Sequence, residues 1–212
     1  MSKKLMEIIS IVIILMLGIV TFAKIKNNNQ NSSNSNGNQV DNDSINDKNQ
    51  KGDTNQDTKV TVIYFSATGT TKKVAVSLSE ALKSDLIEII PKEKYSRNDL
   101  NYNDASSRVS KEHNDSNSRP VIENIIDVSK YDTIYLGYPI WWGDAPRIIY
   151  SFLDKYNLKN KKLFLFSTSA SSNMTTSVNN IKNYQKDLNI LNSRRFSSSF
   201  TKEDITDFVN NN

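Results

Sequence analysis

Residues 60 to 71 read Val-Thr-Val-Ile-Tyr-Phe-Ser-Ala-Thr-Gly-Thr-Thr, and this stretch decides the fold. Its β-branched and aromatic residues predict a strand, which ends in a hydroxyl-rich turn with one glycine. The apolar residues that follow have the spacing of one buried helical face: Val74, Ala75, Leu78, Ala81 and Leu82. The stretch therefore predicts a strand, a tight turn and the start of a helix.

The turn gathers hydrogen-bond donors around one point. The first N–H groups of a helix have no partner within the helix, and the helix dipole favours negative charge there. Four hydroxyl side chains lie in the turn: Ser66, Thr68, Thr70 and Thr71. Ala67 separates the first two, and Gly69 permits close approach of a ligand to the backbone. This pattern favours a phosphate site, with an ordinary loop capped by Thr70 or Thr71 as the alternative.

The N-terminal region is organised differently from the rest of the 212-residue chain. Residues 8–23 form an uncharged apolar run flanked by lysines, which predicts a membrane anchor or a signal peptide within residues 1–26. Residues 27–58 hold 15 Asn or Gln residues and only two large apolar ones, so we expect a disordered linker. The lysine pattern weakly favours an extracytoplasmic domain, with secretion after cleavage or a cytoplasmic orientation as alternatives. Residues 59–212 then form the globular domain.

Composition excludes several classes of function. The chain has no cysteine, which rules out disulfides, thiolate metal sites and cysteine nucleophiles, and its single histidine argues against a zinc site. We therefore expect no bound metal. The net charge of +4 is not concentrated in a basic run, so we also expect no nucleic-acid partner. His113 lies in a long polar segment, residues 91–119, and is interpreted as a surface residue.

Strand and helix patterns continue to alternate after this first strand and helix. Further strands are predicted at residues 85–90, 133–138, 163–167 and 189–196, the last one polar enough for a sheet edge. Helices are predicted after Asp144 as N-cap, around Val178 and from Thr201, where Asp204 completes a capping box. A short helix is predicted at residues 120–128. The alternation predicts an α/β fold, a doubly wound five-stranded parallel sheet in the order 2-1-3-4-5 with helices on both faces.

In such a sheet the ligand lies at the carboxyl ends of the strands beside the switch point. The loop after the third strand holds both tryptophans of the chain, in Pro139, Ile140, Trp141, Trp142 and Gly143. Indole rings stack well on other aromatic rings, so this loop is a candidate wall for a planar ligand. The alternative is that one indole packs in the core.

Several blocks together resemble one branch of the flavodoxin family. They are Tyr-Phe-Ser-Ala-Thr-Gly-Thr-Thr-Lys at 64–72, Asn-Asp at 114–115, Arg-Pro at 119–120, Gly-Tyr-Pro-Ile-Trp-Trp-Gly at 137–143 and Ala-Pro-Arg-Ile-Ile at 145–149. The resemblance covers the chain from about residue 60 to its end. It implies FMN as the cofactor, with residues 66–71 on its phosphate and residues 139–143 beside the isoalloxazine ring.

The resemblance also implies a third contact, from the loop after the fourth strand. The predicted residues there are Thr168, Ser169, Ala170 and Ser171, and the loop continues to Met174. It lacks the glycines and the stacking tyrosine that flavodoxins often carry at this place. We therefore expect either that one face of the ring is open or that FMN binds more weakly. Within the family, the peptide at Gly143 is the candidate acceptor for a hydrogen bond from the flavin N5.

Three functions are compatible with this resemblance. The first is an FMN-dependent electron carrier tethered near a membrane, with redox proteins or small acceptors as partners. The second is an FMN-dependent reductase that passes electrons from a nicotinamide to a quinone-like acceptor. The third is a tethered binding module without flavin. In the first two functions the cofactor carries the redox chemistry, and the protein sets its potential and access.

Overall fold

The computed structural model describes residues 59–212. This range contains five strands: β1 Val60–Tyr64, β2 Asp85–Glu88, β3 Thr133–Pro139, β4 Lys162–Thr168 and β5 Asn189–Phe196. The helices are α1 Thr70–Leu82, α2 Arg108–Asn114, α3 Arg147–Lys155, α4 Thr175–Tyr184 and α5 Lys202–Asn210. The predicted anchor and linker lie outside the described residues. Within the described range, no helix is both long enough and apolar enough to span a membrane.

The five strands form one parallel sheet in the order β2-β1-β3-β4-β5. Successive residues of a strand point to opposite faces, and the two faces carry separate hydrophobic clusters. On one face, Val62 and Tyr64 pack with α1 and α5; on the other, Ile63 and Leu136 pack with α3 and α4. This arrangement confirms the predicted doubly wound fold, and β5 is the polar edge strand.

The capping box that opens α5 is confirmed: the Asp204 N–H donates to the Thr201 hydroxyl, and the Thr201 N–H donates to the Asp204 carboxylate. The predicted N-cap of α3 is wrong. That helix begins at Arg147 after Pro146, and the buried Asp144 carboxylate accepts hydrogen bonds from the Ala145 N–H and from Tyr150. The side chain therefore closes the preceding loop instead of capping the helix.

The predicted helix at residues 120–128 is also wrong, because this segment is extended. Its N–H and C=O groups pair with the chain after β2, through Lys92 N–H to Val121 O and Glu123 N–H to Ile90 O, both 2.8 Å. Ile122 is buried while Val121 is 61% exposed, as expected when alternate side chains point to opposite sides. Hydrogen bonds to a distant part of the chain thus override a helical spacing of apolar residues.

The polar segment after β2 contains a helix that the sequence did not predict, α2. The Ser107 hydroxyl accepts a hydrogen bond from the Ser110 N–H and caps its start. At its other end, the Arg147 guanidinium donates to the carbonyls of Glu112 and His113, at 3.1 and 3.0 Å. A basic group at that position satisfies carbonyls that the helix leaves unpaired. These contacts fix the segment beside the carboxyl ends of the strands.

Candidate functional site

A cavity of about 410 Å³ lies at the carboxyl ends of β1, β3 and β4. This is the edge where doubly wound sheets bind their ligands. The lining residues come from five separate segments: Ser66, Ala67, Thr68, Thr70, Thr71, Leu100, Tyr102, Pro139, Ile140, Trp141, Thr168, Ser169, Ala170 and Ser198. None of these side chains, all within residues 59–212, is charged at neutral pH.

The turn between β1 and α1 forms one end of the cavity. Gly69 is the N-cap of α1, with φ of 87°, a backbone angle that favours glycine. No side chain caps the helix, and its first turn holds no acidic residue. The Ser66 hydroxyl accepts the Gly69 N–H at 3.1 Å and holds the turn closed. The positive end of the helix dipole therefore faces the cavity with no protein anion in its first turn to offset it.

The hydroxyls of the turn have different roles. Thr71 and Thr168 share a buried hydrogen bond of 2.8 Å, which joins the start of α1 to the end of β4. Within residues 59–212, by contrast, the hydroxyls of Thr68 and Thr70 make no hydrogen bond to protein. The free donors are neutral hydroxyls and backbone N–H groups, a set that suits a phosphate group at a helix N-terminus. Lys72 lies outside this set, because its ammonium pairs with Glu88 at 3.2 Å.

The loop after β3 makes a sharp reversal at Trp142 and Gly143. The Trp141 N–H donates to Asp144 O and the Asp144 N–H donates to Trp141 O, each at 2.9 Å, which closes a two-residue turn. Both central residues have positive φ, 48° at Trp142 and 78° at Gly143. Such turns usually carry Asn-Gly. A bulky residue in the left-handed region costs about 1–2 kcal/mol, so the Trp142 backbone is strained.

The two tryptophans of this loop lie in different surroundings. Trp141 is 8% exposed and packs edge-on against the rings of Phe65 and Tyr95, with centroids 5.7 and 5.4 Å away. Trp142 is 39% exposed. One indole therefore belongs to the core as well as lining the cavity, and the other is held at the surface beside it.

The flavodoxin family model matches residues 59–212. The chain belongs to the flavodoxin family. A protein classed as a flavoprotein from Bacteroides eggerthii is 38% identical over 72% of this chain and 96% of its own length, with a TM-score of 0.69. A similar flavoprotein structure from Bacteroides uniformis is 36% identical over 72% of this chain and 98% of its own, with a TM-score of 0.70.

A third solved flavoprotein, from Lactobacillus acidophilus, is in complex with FMN. It is 26% identical over 65% of this chain and 93% of its own length, with a TM-score of 0.55. A search of curated protein sequences gives no match. These comparisons confirm the resemblance that the sequence blocks carried.

The flavodoxin domain brings most of the predicted site residues together. Eleven of them line the cavity, from all three predicted loops. Four do not: Gly69, Trp142, Gly143 and Ser171. Gly69 shapes the turn instead, and Trp142 and Gly143 form the reversal after β3. No cluster of three or more metal-binding side chains occurs within residues 59–212.

Three lining residues of the flavodoxin cavity were missed from sequence: Leu100, Tyr102 and Ser198. Ser198 follows β5, whose carboxyl end adjoins that of β4. The predicted strand order was therefore enough to place Ser198 near the cavity. Leu100 and Tyr102 belong to the long segment after β2. Its length is typical of a functional or a mobile loop, but its path depends on contacts with α3 that no local pattern reveals.

His113 was interpreted as a surface residue, yet its ring stacks on Trp142 with centroids 4.9 Å apart and an angle of 17°. Burial and the nearby Arg147 cation hold the pKa of His113 below its usual value, with Asp144 acting in the opposite direction. The imidazole of the flavodoxin domain is therefore neutral at pH 7.

We expect an NMR titration of this single histidine to give a midpoint below about 6.5, the ordinary pKa of histidine. The unfolded chain binds the proton more readily, so acid favours unfolding. The stability contributed by this residue is complete above about pH 6.5 and is lost as the pH falls through the lower folded pKa. The variant His113→Asn should lose this part of the pH dependence. A midpoint at or above 6.5 would contradict the assignment.

Proposed function

We propose that the domain binds FMN and carries electrons between redox partners. The main support is the N-terminus of α1, which no side chain caps and which faces the cavity together with free hydroxyl groups. The cavity lies at the edge of the sheet where doubly wound folds bind their ligands. The FMN complex of the Lactobacillus acidophilus relative supports the same cofactor here.

The residues present fit the two ends of this cofactor. Neutral donors of the β1–α1 turn, Thr68 and Thr70 with the first N–H groups of α1, would hold the phosphate dianion. Pro139, Ile140 and Trp141 on one side and Ala170 on another give the remaining wall an apolar and aromatic character that suits the isoalloxazine ring. Bound FMN would supply one-electron and two-electron redox chemistry, and the protein would bind and orient it.

The cavity favours a carrier over a reductase. Its lining within residues 59–212 includes no carboxylate, lysine or histidine that could deliver a proton to a substrate. The phenol of Tyr102 is the acidic group that it does contain, and burial raises the pKa of Tyr102 to about 12. A site that transfers electrons without donating protons matches this composition, and general acid chemistry at neutral pH does not.

The test is flavin content followed by potentiometry. We expect the purified protein to be yellow, or to take up added FMN with loss of free-flavin fluorescence. Two separate one-electron steps in a potentiometric titration would support the carrier. A single two-electron step with rapid NAD(P)H oxidation would support the reductase. A protein that stays colourless with excess FMN would exclude both functions and favour a binding module.

We also propose that residues 1–26 tether the domain to a membrane through the linker at 27–58. The apolar run and the polar composition that follows it support this arrangement. Membrane fractionation of cells expressing the full chain, compared with a variant lacking residues 1–26, tests it. Equal recovery of both in the soluble fraction would overturn the tether.

A further inference from the structure

Three aromatic residues contact one another beside the cavity, and two of them are exposed. We call Tyr102, His113 and Trp142 the rim cluster. Trp142 stacks on His113 and lies 4.5 Å, centroid to centroid, from the ring of Tyr102 at an angle of 53°. Tyr102 is 47% exposed and Trp142 is 39% exposed. Large aromatic rings exposed side by side next to a cavity indicate a binding surface.

The rim cluster is held in place from below. Arg147 binds the carbonyls at the end of α2, and thereby fixes His113 under the indole. Earlier in the same segment, Glu112 accepts hydrogen bonds from Tyr95 at 2.7 Å and from Arg108 at 2.6 Å. The strained backbone of Trp142 is tolerated in this setting, because its indole packs against both partners. Strain at one bulky residue beside a ligand cavity points to a role for the ring.

Tyr102 also lines the cavity itself, together with Leu100. Two aromatic rings line the cavity among the described residues, Tyr102 and Trp141. The Trp141 ring is 8% exposed and occupied by its contacts with the core, whereas nearly half of Tyr102 is accessible. The loop after β4 adds Ser169 and Ala170, which have no ring. Tyr102 is thus the aromatic side chain with surface free for a ligand.

We infer that Tyr102 contacts the isoalloxazine ring of bound FMN. The segment after β2 thus adds an aromatic ring with free surface to the cavity wall, and Trp142 of the loop after β3 packs against that ring from the side. The inference rests on the proposed binding of FMN and adds a residue to that site.

Fluorescence titration of the full-length protein with FMN tests this inference. Removing the ring in Tyr102→Leu should weaken FMN binding by about fivefold to tenfold, since aromatic pairs stabilise beyond burial. It should also raise the emission of bound FMN, because contact with a phenol ring quenches flavin fluorescence. Tyr102→Phe should retain the affinity, since the hydroxyl of Tyr102 donates no hydrogen bond within residues 59–212.

Tyr184→Leu is the matched control, because Tyr184 is 43% exposed and lines no part of the cavity. Thermal unfolding without flavin shows that each variant is folded. If the wild type binds FMN and Tyr102→Leu binds with the same affinity and emission, the inference is wrong and the proposed function stands. If the wild-type protein itself fails to bind FMN, the proposed function fails first, and the inference with it.

Discussion

Replacing Thr70 with aspartate should lower the affinity for FMN by about 100-fold or more while the domain stays at least as stable. Thr70 is the first residue of α1 and lines the cavity. Two unit charges 4 Å apart repel by about 4 kcal/mol at an effective dielectric constant of 20, and about 1.4 kcal/mol is a tenfold change in affinity. The same carboxylate at a helix N-terminus stabilises the free protein by about 0.3–1 kcal/mol.

Opposite signs for binding and stability make this variant informative. Thr70→Asn has nearly the same shape as the aspartate variant without its charge, so it should bind FMN far more tightly than Thr70→Asp. Riboflavin, which lacks the phosphate, should bind Thr70→Asp nearly as well as wild type. Isothermal titration with both flavins and a melting curve measure all three effects. Equal FMN affinity in the Asp and Asn variants would place the phosphate elsewhere.

The sequence was sufficient for the sheet and for the turn between β1 and α1 that forms one end of the cavity. Apolar or β-branched runs predicted the strands. Both ends of β5 were predicted correctly, and its mixed polarity correctly indicated a position at the sheet edge. The Ser66–Thr71 turn could be predicted because the features that determine it, a strand, a glycine and the start of a helix, lie within a few residues of one another. Local patterns of this kind survive in the fold because the backbone they need is set by neighbouring residues.

The part of the cavity formed by the segment after β2 could not be predicted in the same way. Tyr102 reaches the cavity because the helix that follows it, α2, is held by Arg147 of α3, which donates to the Glu112 carbonyl 35 residues earlier in the chain. The extended path of residues 120–128 has a similar origin, since Asn124 donates to Glu88 O at 2.8 Å and accepts from the Ile90 N–H at 3.0 Å. In both cases the deciding hydrogen bonds join distant segments, and apolar spacing carries no information about them.

The tryptophan pair shows how far composition can be trusted. Adjacent indoles in one loop suggested a planar ligand, and either one could have been the core residue. The turn decides between them: positive φ at Trp142 turns that residue outward, while Trp141 packs against Phe65. The sequence signal for such a turn is normally Asn-Gly, so the turn could not be recognised from Trp142-Gly143.

Replacing Gly137 with alanine should destabilise the domain by about 3 kcal/mol or more, the upper end of what overpacking costs. A methyl group at this position in β3 would lie 2.0 Å from Cζ of Phe166 and 2.3 and 2.6 Å from its two Cε atoms. Phe166 is fully buried in β4, directly opposite Gly137, so its ring has little room to move. The melting temperature should fall by about 6–12 °C, at roughly 2–4 °C per kcal/mol for a domain of this size.

Gly143→Ala separates this clash from the general cost of losing a glycine. Gly143 has φ of 78° but no atom within 4 Å of an added methyl group, so only backbone strain opposes the change. Its cost should be about 1 kcal/mol, well below that of Gly137→Ala.

A smaller side chain at position 166 should relieve the clash: in Gly137→Ala with Phe166→Leu, the methyl group fills part of the space that the ring vacates. The double variant should therefore be more stable than the sum of the two single changes predicts, as expected for residues in direct contact. Strict additivity in thermal or urea unfolding would mean that the sheet yields by moving its backbone, and that the contact between the two central strands is not what makes glycine necessary there.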